Sequence, residues 1–467
     1  MPSVSIPGTP VGGRRESLSQ RRQETVYCWL VSGVAAIAGL LFGFDIAVIN
    51  GAIVFLRAQF HLNDFQTELA VSFLLMGCIA GAAIAGWLAD RHGRRRVLSI
   101  SALLFGASSL AAALPRTFAE FGAARMVGGV AIGIASMVAP LYIAEVAPAR
   151  IRGRLVSLNQ MAIVTGILLA YFTNWVLSFS GAASWRWMFA VALVPALALF
   201  AGILLVPESP RWLMEKGREG DACAVLERTE GVEEGQAQVE RIRESLLEEA
   251  GTFHDLFAPS LRRPMYLIIA LAVLQQITGI NTVLFYGSLL WEREFHSRGH
   301  SSAIGMNTLI GLVNFAITVL ALWLIERSGR RALLMFSSGS MAICQLLLGI
   351  VFSIRTPPAL FMLGSILLCV AAFAVGLGPV TWTLMAELLP THVRGKAMSV
   401  ANLALWVASC ALTFTFLSLV HAITATGAFC LYSFLCGLTF VLVWKLVPET
   451  KGRTLEEIEE FWRKERR

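Results

Sequence analysis

Charged residues are scarce in this chain of 467 residues. They make up 15% of the sequence, whereas 56% of the residues are hydrophobic. Mean hydropathy is +0.67, and the core of a water-soluble protein cannot hold that much apolar surface. The scarcity of charge therefore excludes a soluble protein and indicates a membrane as the solvent.

Clustered cysteines and enzyme motifs are absent as well. The eight cysteines are scattered, mostly within apolar runs, and no pair has metal-ligand spacing. This excludes a secreted disulfide framework and a cysteine metal site, so the cysteines are interpreted as small packing residues. No P-loop, nucleophile elbow or metal cluster occurs, so neither an enzyme nor a cofactor is predicted. The polar N-terminus lacks the apolar segment of a signal peptide, so the first apolar run is expected to stay in the protein.

Long apolar runs are the main feature that is present. A helix needs about twenty apolar residues to cross the hydrocarbon layer, and scanning at that length finds about twelve spans. The sequence therefore predicts an all-α membrane protein of twelve transmembrane helices. Basic residues cluster in every second loop. By the positive-inside rule this predicts cytoplasmic N- and C-termini, and it gives no support to nucleic-acid binding.

The second half of the sequence repeats motifs of the first. Such a parallel repeat of six spans predicts a transporter of two pseudo-symmetric halves. The recurring phrases are Asp90-Arg91-x-Gly-Arg-Arg with Glu326-Arg327-x-Gly-Arg-Arg, Glu145-x-x-Pro with Glu387-x-x-Pro, and Pro207-Glu208 with Pro448-Glu449. The predicted segments are a cytoplasmic N-terminal tail at 1–26, a six-helix bundle at 27–206, a cytoplasmic linker with short amphipathic helices at 207–263, a second bundle at 264–447, and a cytoplasmic C-terminal helix or tail at 448–467.

These motifs resemble those of the sugar porter family of the major facilitator superfamily, above all its bacterial proton-coupled pentose and hexose symporters. Animal facilitative glucose transporters are related to these symporters. The resemblance implies transport of a monosaccharide by alternating access, in a multi-pass protein of a bacterial inner membrane. Its expected partners are the sugar, protons and the lipid bilayer, and the expected functional unit is a monomer. The motifs are Gly86-x-x-x-Asp90-Arg91-x-Gly-Arg-Arg, Arg125 with Gly128-Gly129, Pro140-x-Tyr-Ile-x-Glu145, Pro207-Glu-Ser-Pro-Arg-Trp212, Gln275-Gln276-x-x-Gly-x-Asn281, Gly378-Pro-x-x-Trp382 and Pro448-Glu-Thr-Lys-Gly452.

Asp45 is the most informative single residue. It lies near the middle of the first span, where an unpaired charge costs several kcal/mol. Arg125 in the fourth span is the well-placed base of the first half, so an Asp45–Arg125 pair is predicted. The resemblance implies that this pair couples transport to protons, because proton-coupled members carry an acid here and passive animal carriers carry Asn. A static ion pair that fixes helix packing is the alternative.

Amide side chains inside apolar spans predict a sugar site. Amides donate and accept hydrogen bonds, and an aromatic ring covers the apolar face of a sugar. A single buried amide is more often a contact between helices, but five of those inside spans stand at positions that resemble the family's sugar contacts. By resemblance, the sugar-binding residues are expected to be Phe42, Gln160, Ile163, Ile167, Gln275, Gln276, Asn281, Tyr286, Asn314, Phe373, Gly378, Trp382 and Trp406.

Three positions depart from the family pattern. Ile167 and Leu405 stand where pentose-proton symporters of the family have glutamines, and Phe285 replaces the first of two paired tyrosines. The site is thus less polar on at least two walls. Glucose carriers also have Ile at the first position, which slightly favours a hexose, but the particular sugar stays open.

Acids and bases that recur at the predicted cytoplasmic ends of the spans are expected to form salt-bridge networks that close the inner side. The alternative is a topology signal made of solvated charges. The expected members are Asp90, Arg91, Arg94, Glu145, Arg152, Glu208 and Arg211 in the first half, and Glu326, Arg327, Arg330, Glu387, Arg394 and Glu449 in the second.

Other functions stay open at this point. A passive sugar uniporter and a polyol- or inositol-proton symporter fit the same fold. A non-transporting sugar receptor is disfavoured, because such receptors have long cytoplasmic tails and this chain is short after Val447.

Overall fold

All regular structure in the described residues is helical. The structure is a computed structural model and describes residues 11–247, 256, 258, 261–294, 300–354, 359–389 and 391–451. The α-helices described for the first half form six spans, the sixth of which is broken in two. They are α1 (Val11–Phe60), α2 (Asp64–His92), α3 (Arg94–Ala113), α4 (Phe118–Val146), α5 (Arg152–Leu177), α6 (Ser184–Ala190) and α7 (Leu193–Leu205).

Short helices follow in the linker, and longer ones form the second half. The linker helices are α8 (Pro210–Glu215), α9 (Glu219–Glu230) and α10 (Val232–Leu247). The helices of the second half are α11 (Arg262–Ile277), α12 (Ile280–Glu294), α13 (His300–Ser328), α14 (Arg330–Ser353), α15 (Ala359–Val375), α16 (Leu377–Glu387) and α17 (Thr391–Leu446).

Within the described chain, eleven helical stretches are long and apolar enough to cross a membrane. The last of them, Gly395–Leu446, has 52 residues, more than twice the length that one crossing needs. Thr424 divides α17 into two arms, because its φ of 66° and ψ of 165° are not helical. The two arms are spans 11 and 12. The predicted all-α membrane fold of twelve transmembrane helices is therefore confirmed.

Helix α1 begins earlier than the sequence predicted. Residues 1–26 were expected to form a tail, but the helix runs without a break from Val11 into the first span. This segment is rich in Arg, Gln and Glu, which are good helix formers, and extending an existing helix is easier than nucleating one. Residues 1–10 and 452–467, which include most of the predicted C-terminal helix or tail, lie outside the described residues.

Spans 7 and 10 are each made of two helices. In span 7 the break lies between α11 and α12, at Gly279, where φ is +85° and a Cβ atom would approach the Tyr432 ring to 2.4 Å. Span 10 breaks at Gly376, between α15 and α16, where φ is −139° and ψ is −69°. A broken span frees backbone polar groups inside the membrane, and these must be bonded within the protein or to a ligand.

Spans 2 and 4 cross at glycines. A Cβ atom at Gly129 would lie 2.0 Å from the carbonyl oxygen of Leu74, and one at Gly133 would lie 2.3 Å from that of Cys78. The absence of side chains at these glycines therefore lets the backbones of α2 and α4 approach closely. This crossing matters for the site because α4 also carries Arg125.

Gly129→Ala should lower the thermal stability of the purified protein. The added methyl group meets backbone atoms, which cannot rotate away as a side chain can, so α2 and α4 must separate. We expect a melting temperature lower by several degrees, measured by scanning fluorimetry in detergent. Gly437→Ala is the matched control, because a Cβ atom there has no neighbour within 4 Å. It should leave the melting temperature unchanged or slightly raised, since Ala favours the helix. Equal effects in both variants would contradict the tight crossing.

Candidate functional site

A buried ion pair joins spans 1 and 4. Asp45 and Arg125 are 3% and 1% exposed. Nη1 of Arg125 donates to Oδ1 of Asp45, and Nη2 donates to the main-chain carbonyl of Asp45 at 3.1 Å. The guanidinium group lies 5.0 Å from the centroid of the Phe189 ring. The structure thus places the two side chains in the predicted pair, while their role in proton coupling stays a prediction.

The second carboxylate oxygen of Asp45 has no donor. Oδ2 is buried and lacks a hydrogen-bond partner among the described residues. Its surroundings include Gly128, where a Cβ atom would lie 3.9 Å away. A buried charged oxygen without a donor is costly. A proton on Oδ2 would remove this cost and leave the bond from Oδ1 to Arg125 in place, so the site can hold the carboxyl group in either form.

Amide groups of span 7 form a continuous chain of hydrogen bonds. Gln275 Nε2 donates to the carbonyl of Leu377 at 2.7 Å, on the broken span 10. Gln276 Nε2 donates to Gln275 Oε1 at 3.2 Å, and Asn281 Nδ2 donates to Gln276 Oε1 at 2.6 Å. Asn281 also donates to Ser409 Oγ at 3.1 Å, on the first arm of α17. The breaks at Gly279 and Gly376 are therefore bridged by three of the predicted sugar-binding amides.

Two further predicted amides have no hydrogen bond to any described residue. Gln160 in span 5 is half-buried, and Asn314 in span 8 is 6% exposed. Polar side chains at membrane depth face the bundle interior or a water-filled space rather than lipid. These two amides are therefore free to bind water or a ligand between the halves.

Aromatic side chains complete the predicted site. Phe42 of span 1 and Trp406 of α17 are in edge-to-face contact, with ring centroids 5.5 Å apart, and they join the two halves. Trp406 is 2% exposed, and its indole N–H has no partner among the described residues. Trp382 and Phe373 are half-buried in span 10, and a Cβ atom at Gly378 would lie 3.2 Å from the Phe373 ring.

Three other predicted contacts lie in well-packed positions. The hydroxyl of Tyr286 donates to the carbonyl of Thr413 at 2.8 Å, and its ring is 5.2 Å from that of Phe416. Its polar group is therefore already used within the second half. Ile167 is 7% exposed, and Ile163 is half-buried with its carbonyl 1.9 Å from where a Cβ atom of Gly43 would lie.

One end of the bundle carries the basic turns at Gly93 and Gly329, and we call it the basic end. Near Gly93, Arg94 Nη2 donates to Glu145 Oε1 at 3.0 Å, and Nε lies 2.9 Å from Oε2 within the same ion pair. Glu208 accepts from the main-chain N–H groups of Arg94 and Arg95, at 2.9 and 3.0 Å. This network joins span 4, the turn between spans 2 and 3, and the end of span 6.

The second half repeats this network. Arg330 Nη2 donates to Glu387 at 2.9 Å, and Glu449 accepts from the main-chain N–H groups of Arg330 and Arg331, at 2.9 and 3.1 Å. Gly93 and Gly329 have φ of +89° and +85°, and a Cβ atom at either one would meet the capping carboxylate within 2.6 Å. The bonds of each network stay within its own half.

Of the other predicted charges, Asp90 joins the first network through a salt bridge to Arg94, and the rest whose side chains are described are not bonded to either network. Asp90 is exposed and 3.4 Å from Arg94, Arg91 lies over the Trp87 ring, and Arg327 lies over the Trp323 ring. Arg152 donates to the carbonyl of Ala147 at 3.4 Å, and Arg211 is 3.7 Å from Glu215. The side chains of Glu326 and Arg394 lie outside the described residues. Among the described side chains, the first network thus joins Arg94 with Asp90, Glu145 and Glu208, and the second joins Arg330 with Glu387 and Glu449.

The halves meet at the opposite end, which carries the turn between α1 and α2 and the kink in α17. Asn50 Oδ1 accepts from Ser288 Oγ at 2.6 Å and from Asn307 Nδ2 at 3.2 Å. Glu68, 1% exposed, accepts from the N–H and the hydroxyl of Ser418, both at 2.8 Å. Towards the basic end, the described residues show a weaker contact across the halves, from Ser399 Oγ to the sulfur of Met137 at 3.6 Å.

The residues that close the opposite end were missed from the sequence. Asn50, Ser288 and Asn307 carry the same signal as the predicted amides, a polar side chain inside an apolar run. Glu68 lies at the start of span 2 and resembles an interfacial charge in the sequence. Neither a polar residue in an apolar run nor an acid at the start of a span indicates which face of its helix contacts the other half.

Comparisons with known proteins cover nearly the whole chain. Residues 31–462 match the family model described as "Sugar (and other) transporter". The chain is 36% identical to the arabinose-proton symporter of Bacillus subtilis over 440 residues, covering 93% of this chain and 94% of that protein. It is 37% identical to the glucose transport protein of Synechocystis over 471 residues, covering 95% and 99%. A solved structure of the E. coli proton:xylose symporter XylE, bound to 6-bromo-6-deoxy-D-glucose, matches with a TM-score of 0.83 and 35% identity, covering 94% of this chain and 100% of that one.

These matches agree with the twelve crossings and confirm the prediction of a multi-pass membrane transporter rather than an enzyme. The coupling and sugar-binding roles assigned to single residues stay predictions. This chain is a member of the sugar (and other) transporter family, within the major facilitator superfamily.

Proposed function

We propose that this protein is a proton-coupled monosaccharide symporter that works by alternating access. Its cargo is a hexose or a pentose, its coupling ion is a proton held by Asp45, and it needs no other cofactor. The proposed working unit is the monomer, because both the ion pair and the amide site lie within one chain. Similarity to an arabinose-proton and a xylose-proton symporter supports the assignment.

The observation that carries the proposal is the buried Asp45–Arg125 pair with its free Oδ2. A static structural pair gains most when every oxygen has a donor, because desolvation of both charges must be offset. A carboxylate that accepts a proton needs one oxygen without a donor. Asp45 has the second arrangement, which favours a proton site over a static pair.

Helix α1 links the proton site to the sugar site and to the closed end. Phe42, Asp45 and Asn50 lie within about 12 Å along this helix. Phe42 contacts Trp406 in the predicted sugar site, and Asn50 bonds to Ser288 at the opposite end. Protonation of Asp45 weakens the tie of α1 to α4, so α1 can tilt and break its bonds to the second half. A proton and a sugar therefore act on the same moving element.

Proton flux in proteoliposomes tests the proposal directly. The protein is reconstituted with a weakly buffered exterior, and glucose, xylose, galactose and a polyol are added one at a time. We expect the external pH to rise with at least one monosaccharide, because each sugar enters with a proton. A protonophore should abolish the sugar-driven pH rise, and liposomes without protein should show none.

The alternatives predict different outcomes. No pH change together with measurable counterflow of radiolabelled sugar would make the protein a uniporter, and Asp45 would then be structural. A pH rise with the polyol alone would assign a polyol cargo. No pH change and no counterflow would mean that none of the four compounds is transported.

A further inference from the structure

Asn402 is a buried amide that no role described so far accounts for. It lies on the first arm of α17 and is 4% exposed. Its Oδ1 atom is buried without a partner, and the amide makes no hydrogen bond to any described residue. An amide buried without hydrogen bonds is destabilising in a membrane protein. No described residue supplies that bond, whereas a polar ligand between the halves would supply it.

The position of Asn402 along α17 shows what it faces. Ser399, three residues earlier, bonds to Met137 of span 4, and Trp406, four residues later, packs on Phe42 of span 1. Residues three and four apart lie on one face of a helix. Asn402 is therefore on the stripe of α17 that faces the first half, on the basic-end side of Trp406.

Trp406 offers the complementary group on the same stripe. Its indole N–H is a donor without a partner, and Asn402 Oδ1 is an acceptor without a partner. Side chains at i and i+4 have Cβ atoms about 5–6 Å apart, so one small group between them can contact both. A hydroxyl group fits, because it donates one hydrogen bond and accepts others.

The other polar groups nearby are already used. Ser409, one turn beyond Trp406, is bonded to Asn281, and Leu405 has no polar group. Between Ser399 and Ser409, the unpartnered polar groups on this stripe of α17 are therefore those of Asn402 and Trp406. Met137, near Ser399, is apolar and offers no stronger partner.

We propose that Asn402 and the indole N–H of Trp406 bind one hydroxyl group of the transported sugar and so select for it. The hydroxyl donates to Asn402 Oδ1 and accepts from Trp406 Nε1. This inference rests on the proposed sugar transport. It adds a specificity residue on the basic-end side of the predicted site, and sugars that lack or invert this hydroxyl bind more weakly.

A cycle of protein variants and sugar analogues tests the contact. Binding of D-glucose, D-galactose and D-xylose to the purified protein is measured by calorimetry, followed by the monodeoxy derivatives of the sugar that binds. Asn402→Leu keeps the side-chain size and removes the amide. We expect it to weaken binding of the parent sugar about five- to tenfold, the effect of one hydrogen bond. It should have no further effect on the one deoxy analogue that lacks the recognised hydroxyl.

Trp406→Phe and Ser399→Ala complete the design. Trp406→Phe removes the indole N–H and should weaken binding of the parent sugar without weakening binding of the same deoxy analogue any further. This variant keeps the test valid if Asn402→Leu does not fold. Ser399 lies on the same stripe, but its hydroxyl is already bonded to the carbonyl of Gly395 at 3.0 Å, so Ser399→Ala should leave every analogue unchanged.

Two results would overturn the proposal, and they differ from failure of the proposed function. In the first, Asn402→Leu leaves binding of the parent sugar intact. In the second, it weakens binding of every analogue equally, as expected if the amide holds only water. In both cases sugar binding by the wild type persists, so only the assignment of Asn402 is lost. If the wild type binds none of the sugars, both proposals fail together.

Discussion

Asp45→Asn is expected to abolish uphill sugar accumulation and leave sugar binding and counterflow close to those of the wild type. The amide has the size of the carboxyl group, and its Oδ1 can still accept from Arg125, so the contact between spans 1 and 4 is kept. The amide nitrogen takes the place of Oδ2, so the variant side chain cannot take up a proton there. The proton uptake that drives accumulation is therefore lost, whereas the sugar can still cross the membrane.

Proteoliposomes with an imposed pH gradient measure this prediction. The ratio of internal to external sugar should fall to one, and sugar-driven proton uptake should disappear, while exchange of labelled sugar continues. Asp221→Asn is the matched control, because Asp221 pairs with Arg218 at 2.7 Å on the exposed linker. Exposed pairs contribute little, so this variant should accumulate sugar normally.

Proton uptake that persists in Asp45→Asn would place the coupling group elsewhere. Arg125→Ala separates the remaining interpretations. If the pair is a proton site, Arg125→Ala should also abolish proton-coupled sugar accumulation. A purely structural pair should instead lose stability by several kcal/mol, because an unpaired carboxylate stays buried.

Gln276→Ala is expected to weaken sugar binding roughly fivefold to thirtyfold, because it loses one or two hydrogen bonds of about 1 kcal/mol each. Gln276 lies between Gln275 and Asn281 in the chain of amides. Its removal takes away a proposed sugar contact and leaves Asn281 without the acceptor of its shorter hydrogen bond. Calorimetric titration of the purified protein measures the affinity.

Asn174→Ala is the control for loss of an intramembrane amide. Asn174 is fully buried and donates to the carbonyl of Val48 at 3.1 Å, a contact between spans 5 and 1. Its removal should lower the melting temperature and leave sugar affinity unchanged. Normal affinity in both Gln276→Ala and Trp382→Ala would reject the predicted sugar site.

The fold could be predicted because membrane burial depends on composition over about twenty residues. That rule found twelve spans, including the two within α17, because the sequence around Thr424 is apolar on both sides. It did not find where α1 begins, since the hydrocarbon layer sets the length of a span and not the end of its helix. Val11 lies about four turns before the predicted start at residue 27.

The site was predicted in part for a related reason. Asp45 and Arg125 had to pair, because few other charges are available at that depth. Tyr286 and Glu68 show the limit. The depth of a residue can be read from the sequence, but its direction around the helix depends on packing with distant spans. Tyr286 turns to Thr413, and Glu68 reaches Ser418, 350 residues away.

The two halves share a turn that ends in a capping carboxylate, but they do not share the ion pair. From Pro264 to Trp291 the second half has no acidic or basic residue, and its polar side chains there are uncharged. In the proposed mechanism, the first half therefore holds the proton and the second half supplies most of the polar contacts to the sugar. Coupling of the sugar gradient to the proton gradient then takes place across the interface between the halves. Substitutions confined to the interface between the halves should give a transporter that binds the sugar and the proton normally but transports each without the other.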